Sequence, residues 1–175
     1  MRNFSKKKLM HGFTLIESLV TVAIVAILAA IVLPSYSGMQ DELRLRSGTE
    51  AIFSDIQYAR LFAIKSSSNI YLSFNSSCWG IGNGVATCDC TVSDATQANY
   101  CSQKIQKTSD FKGFSLSSSV PSSSIDGTRA IVTNPSVITF TSTGGKVAKV
   151  TFNVLGRASI CSPSGSAYVS RYKSC

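Results

Sequence analysis

The stretch GFTLIESLVTVAIVAILAAIVLP, residues 12–34, decides how the chain is read. From Phe13 to Leu33 it is 21 residues long and apolar apart from Thr14, Glu17, Ser18 and Thr21. As a helix it would be about 31 Å long, close to the ~30 Å of a bilayer's hydrocarbon core, whereas the apolar part of an export signal needs only about 7 to 15 residues. Arg2, Lys6, Lys7 and Lys8 precede it, so the positive-inside tendency keeps that end in the cytoplasm and sends the chain beyond Pro34 across the membrane. Glu17 is the odd residue: an acid in a spanning helix costs about 2.5 to 3.5 kcal/mol at its centre and less near its edge. A plain anchor has no use for it unless it reaches the headgroups.

Taken together, the Lys-rich leader, Gly12 and the Phe-Thr-Leu-Ile-Glu that opens the apolar run resemble the type IV prepilin (class III) signal. The resemblance implies a leader, residues 1–12, removed by a prepilin peptidase after Gly12, with the new N-terminus, Phe13, methylated on its amine. It implies a transmembrane helix over residues 13–34 that later packs against other pilins in a filament. There Glu17 would pair with the N-terminal amine of a neighbouring subunit and set its register. Pro34 falls where pilin helices commonly bend, as expected of a residue that lacks an amide donor and clashes with the preceding turn. A conventional signal peptide cut near Ala29 or Ala30 is the competing reading, and it leaves the Gly-Phe-x-x-x-Glu arrangement unexplained.

Working outward, residues 35–66 form the amphipathic half of the same helix: Leu45, Ile52, Ile56, Ala59 and Ala63 recur at helical spacing, and Gly48 is a local weak point rather than a terminator. Ser66-Ser67-Ser68-Asn69 ends it. Alternation over Ile70–Phe74 predicts a half-buried strand. Residues 75–110, rich in Gly, Ser, Asn and Cys, are read as a stapled loop region. Strands are expected at Phe114–Leu116 and Arg129–Thr133, separated by SSSVPSSS as a solvated connector. Val137–Thr141 and Lys146–Leu155 make a hairpin about Ser142-Thr143-Gly144-Gly145. Gly156 breaks it, and weaker strands follow at Arg157–Cys161 and Ala167–Tyr172. The expected fold is α+β and pilin-like: a long N-terminal transmembrane and amphipathic α-helix packed on an antiparallel β-sheet, with residues 67–175 as a disulfide-stapled β-rich globular domain.

SDIQYARLFAIKSSSNIYLSF resembles the helix-to-strand segment of the GspH/FimT family of minor pilins and pseudopilins, and ITFTSTGGK and VTFNVLGRA are similar to its hairpin and its Gly-Arg turn. The resemblance implies a minor type IV pilin that initiates or caps pilus assembly at the filament tip and supports motility, adhesion or DNA uptake. A type II secretion pseudopilin shares the layout. The implied partners are other major and minor pilins, the prepilin peptidase and the inner membrane. The chain would be single-pass, with its C-terminal domain in the periplasm until assembly into an extracellular pilus.

Six cysteines, at 78, 88, 90, 101, 161 and 175, form an even set, and disulfides are the leading reading for an extracytoplasmic chain. A Cys88–Cys90 bridge would be strained, so these two are expected to pair separately with Cys78 and Cys101, in either arrangement. Many pilins tie down the C-terminus with a bridge such as Cys161–Cys175. A metal site is disfavoured, because Cys88-x-Cys90 lacks the usual two-residue thiolate spacing and the only histidine, His11, lies in the leader.

No catalytic constellation emerges. Histidine is absent after Gly12, and Gly144-Gly145-Lys146 lacks the upstream glycine and following helix of a phosphate loop. The chain is therefore read as a non-enzyme needing no cofactor. Charge is the remaining lead. From Cys101 to Cys175 there are nine basic and two acidic residues, net +7, against four basic and six acidic, net −2, from Asp41 to Tyr100. A DNA-binding tip pilin for natural transformation is thus a second reading, carried by Lys146, Lys149, Arg157, Arg171 and Lys173. Some family members bind DNA through a Gly-Arg-x-Arg turn; here the run is Gly156-Arg157-Ala158-Ser159, and the second arginine is missing.

Overall fold

The computed structural model describes residues 13–84 and 88–175, without the side chains of residues 32–35. The expected leader with Gly12 and His11 lies outside them, and so does the side chain of Pro34, where a bend is expected. Among the described residues one α-helix, α1 (Leu15–Ser66), is followed by ten strands and a short 3-10 turn, Thr108–Asp110, and the chain divides into two units, Met1–Ser37 and Gly38–Cys175.

In the first unit every large apolar side chain from Phe13 to Ile31 is at least 49% exposed. Among the described residues no single helix is long and apolar enough to cross a membrane; Leu15–Ile31 and Tyr36–Ser66 pass that test of length and composition only when taken together.

The second unit is built on the predicted helical stripe. Leu45, Ile52, Ile56, Ala59 and Ala63 are all essentially inaccessible, and Thr49 sits on the same buried face with its hydroxyl returned to the Leu45 carbonyl at 2.7 Å. Gly48 has a packing role: a methyl group there would lie 2.4 Å from the ring of Phe114. The helix ends at Ser66, and Ser67 turns the chain with φ 49°.

Two five-stranded sheets share the core with this helix face. The first runs β3 (Lys104–Lys107), β2 (Cys78–Asn83), β1 (Ile70–Asn75), β5 (Ser122–Ile125), β6 (Val132–Thr133), all antiparallel. The second runs β10 (Lys173–Ser174), β9 (Ala158–Ser162), β8 (Val147–Phe152), β7 (Ser136–Ser142), β4 (Phe114–Ser118), with only the β10–β9 pair parallel. Aromatic pairs join the sheets: Trp79 meets Phe140 edge-on at 6.4 Å between ring centres, and Phe74 meets Phe152 at 6.1 Å.

Several expectations are corrected. Residues 75–110 are not a structureless loop, since they hold β2 and β3. In β2 Trp79 and Ile81 face the core, while Cys78, Gly80 and Gly82 face a second buried layer made by the cysteines, Tyr71 and Ile105. With both faces covered, the strand has no apolar–polar alternation to betray it. SSSVPSSS is not a solvated connector either. Ser122–Ile125 pairs with β1 and buries Ser123, whose hydroxyl donates to the Asn134 carbonyl at 2.6 Å. The strand expected over Arg129–Thr133 shrinks to Val132–Thr133, because Asp126 gathers residues 128–130 into a turn. Ala167–Tyr172 is no strand. It turns to bury Val169, and the last strand lies at Lys173–Ser174.

The disulfides are Cys78–Cys90, Cys88–Cys101 and Cys161–Cys175. The first two lie flat on β2. A Cβ at Gly80 would stand 2.5 Å from the Cys101 sulfur, and one at Gly82 would stand 2.7 Å from the Cys88 Cβ, so the glycines make room for the bridges.

Candidate assembly and polyanion-binding sites

The N-terminal site begins with local helix chemistry. Thr14 precedes α1, and its hydroxyl accepts the Glu17 amide at 3.3 Å, one half of a capping box. Ser18 and Thr21 return their hydroxyls to the Leu15 and Ser18 carbonyls at 2.8 and 2.9 Å, so the other polar groups of the apolar run are satisfied within the helix. The Glu17 carboxylate is the exception: among the described residues it has no hydrogen bond or ion pair. It lies in the first helical turn, where the macrodipole favours an anion, next to a stripe of exposed Leu, Ile and Val. The capping role of Thr14 is legible in Thr-x-x-Glu, a pattern the sequence reading passed over.

The five basic residues picked out for DNA fall in three places. Lys149 and Lys173 lie in register across Cys161 on the outer face of the second sheet, opposite the face that buries Ala148 and Val150. That outer face also carries Thr139, Thr151 and Ser159. Arg157 stands apart, four residues or about 13 Å along β9 from Cys161, on the turn Asn153–Arg157. Asn153 builds this turn by accepting the amides of Leu155 and Arg157 at 3.1 and 3.0 Å, and Gly156 supplies φ 70° over the side chain of Arg60.

Lys146 and Arg171 belong to a third place, a groove of about 440 Å³ beside Glu42 and Arg46. Here the charges do structural work. Arg46 bonds Glu42 at 2.5 Å and the hydroxyl of Ser170 at 2.7 Å, and also reaches the Ser170 carbonyl; Lys146 donates to the Tyr168 carbonyl at 2.8 Å. The Ser170 hydroxyl, helped by Arg46, holds the Glu42 carboxyl below the usual carboxylate range. Burial, reinforced by Glu50, pushes the Tyr172 hydroxyl well above its ordinary value. The cluster fastens the C-terminal turn to α1. Sequence reasoning missed it because Glu42 and Ser170 are 128 residues apart.

One buried acid was also missed. Asp55 accepts the Trp79 indole N–H at 2.8 Å and the Lys104 ammonium at 2.6 Å, linking α1 to β2 and β3. Among the described residues no group of three or more His, Cys, Asp or Glu side chains could hold a metal ion.

Comparison with known proteins completes the picture. Residues 7–33 match the prokaryotic N-terminal methylation motif, and residues 48–171 match the family of type II transport protein GspH. No curated protein sequence matches the chain. The crystal structure of the type IV minor pilin FimU from Pseudomonas aeruginosa has the same fold, with a TM-score of 0.51 at 14% identity over 71% of this chain and 95% of that one. With the family profile spanning most of the chain and the methylation motif set on the apolar helix before it, the chain belongs to the GspH family of pilin-like proteins.

Proposed function

We propose that this protein is a minor type IV pilin that primes filament assembly at the tip, held in the inner membrane with its second unit in the periplasm until it is drawn into the filament. Prepilin peptidase cuts after Gly12 and methylates Phe13. The observation that carries the reading is the Glu17 carboxylate, without a partner among the described residues, on a helical segment whose large apolar side chains are all exposed. In a packed bundle that carboxylate meets the Phe13 amine of a neighbour, a charge-assisted bond made where little water competes. Glu17→Ala is expected to insert at least as well as the wild type, since a costly charge leaves the bilayer, yet to be depleted from sheared filaments beside wild-type major pilin. Normal incorporation would refute the role.

DNA binding is the second reading, supported by exposed Arg157 and by the Lys149–Lys173 pair. Phosphate contacts would make binding insensitive to sequence and steeply lowered by salt. Arg157→Ala should weaken it, and Ser159→Arg should strengthen it. No binding at low salt would leave only the assembly role. The layout also suits a type II secretion pseudopilin, and localisation of the chain to a surface pilus or to a secretion complex separates the two.

A further inference from the structure

The three bridges differ in access. Those on β2 are closed in: Cys78, Cys88, Cys90 and Cys101 are 3%, 6%, 2% and 1% exposed. Cys161 is half-buried and its partner Cys175 is exposed. Their bridge lies on the outer face of the second sheet, because the next residue, Ser162, turns the other way and is fully buried, donating to the Val147 carbonyl at 2.7 Å and accepting the Val169 amide at 2.9 Å. Charge differs as well. Cys161 stands in register with Lys149 on one side and Lys173 on the other, on strands about 4.8 Å away. The five strands of this sheet carry no acidic residue. The acids of the neighbouring clamp are engaged, Glu42 with Ser170 and Arg46, and Glu50 with the Tyr172 hydroxyl at 3.4 Å. On β2 a single lysine, Lys107, is in register with Cys78, beside sulfurs that are shut away from solvent.

We propose that Cys161–Cys175 is a thiol-exchange site, opened and closed by a dithiol while the two bridges on β2 stay shut. The site is independent of the assembly reading. One thiolate of the dithiol attacks the exposed Cys175 Sγ. A sulfur–sulfur bond forms there, the Cys161–Cys175 bond breaks, and its electron pair leaves on the Cys161 Sγ as a thiolate set between two ammonium groups. The dithiol's second thiolate then displaces Cys175 and closes the dithiol's own disulfide, and Cys175 takes a proton from water. Two electrons pass from the dithiol to the bridge. Exchange is fast where the attacked sulfur is accessible and the departing thiolate is stabilised, and adjacent cations supply that stabilisation. Opening releases only the short strand β10 and Cys175 from the edge of β9. The turn before it stays seated, because Val169 is buried and the Ser170 hydroxyl is bonded to Glu42 and Arg46 at 2.5 and 2.7 Å.

The test treats the folded, detergent-solubilised full chain with limiting dithiothreitol, then alkylates the thiols and maps them by mass over time. Cys161 and Cys175 should be labelled together, at least about tenfold faster than the other four cysteines, with the fluorescence of Trp79 unchanged. Lys149→Met with Lys173→Met should slow the opening about fivefold, and Lys149→Arg with Lys173→Arg should keep the wild-type rate. Limiting glutathione, a monothiol, followed by alkylation should leave its adduct on Cys175 and the alkyl label on Cys161. Equal labelling of all three bridges, or earlier opening on β2, overturns the inference. So does a rate unmoved by the methionine pair, which would make the bridge exposed but unassisted, or a glutathione adduct on Cys161. Should the methionine variant fail to fold, the order of opening and the place of the adduct in the wild type still decide.

Discussion

Asp55 offers a stringent test of how the helix is fixed to the first sheet. Its side chain is 6% exposed and holds two donors, the Trp79 indole and the Lys104 ammonium. Asp55→Ala leaves the indole N–H, in a tryptophan that is 2% exposed, without an acceptor, which costs about 1 to 3 kcal/mol. The ion pair adds less, because Lys104 is 40% exposed and regains water; about 0.2 to 1 kcal/mol is appropriate for such a pair. The total is about 1 to 4 kcal/mol, or roughly 3 to 12 °C in melting temperature for a chain of this size. Trp79 is the only tryptophan, so urea unfolding of the detergent-solubilised protein, followed by its fluorescence, reads the site itself. Asp55→Asn keeps an acceptor and should cost less than half as much, and Lys104→Met less than about 1 kcal/mol. A loss below about 1 kcal/mol for Asp55→Ala, or equal losses for it and Lys104→Met, would refute the reasoning.

Other consequences follow from the bridges and the clamp. Gly82→Ala should prevent Cys88–Cys101 from closing, because the new methyl occupies the space of the Cys88 Cβ; nonreducing peptide mapping should find those two thiols free. Cys161→Ser with Cys175→Ser opens a bridge of sequence separation 14 and should lower stability by about 3 kcal/mol on the loop-entropy account, measured by urea titration. The Glu42 carboxyl is held below its ordinary value, so its stabilisation is full above the unfolded carboxylate range and is lost as pH falls through the lowered folded value. Amide exchange at residues 168–172, corrected for intrinsic rates, should therefore show protection falling as pH drops below about 4.5, and Glu42→Gln should abolish that dependence.

The helix was the most legible element, because Leu45, Ile52, Ile56, Ala59 and Ala63 repeat at its own period and meet one core. The β7–β8 hairpin was legible for the same reason, its buried residues alternating from Ser136 to Ser142. Strand β2 was hidden because Trp79 and Ile81 bury one face while Gly80 and Gly82 accept disulfides on the other, leaving no polar face to set the period. Strand β5 was hidden because serine has weak β-propensity; its place comes from pairing with β1 and from the Ser123 bond to Asn134. In the candidate sites, Gly12, Phe13 and Glu17 were read from a local motif, which needs no tertiary information. The basic residues were read from composition, which says nothing about position, and the fold disperses them: Lys146 and Arg171 to the groove, Lys149 and Lys173 to a sheet face, Arg157 to an apolar turn.

The central claim, that the apolar helix is kept and used in assembly, is tested most directly by the mass of the N-terminal peptide of the protein purified from its native cell. The account predicts a chain that begins at Phe13 with a methylated amine. A chain that begins at Met1, or one cut near Ile31 and lacking Glu17, would contradict it.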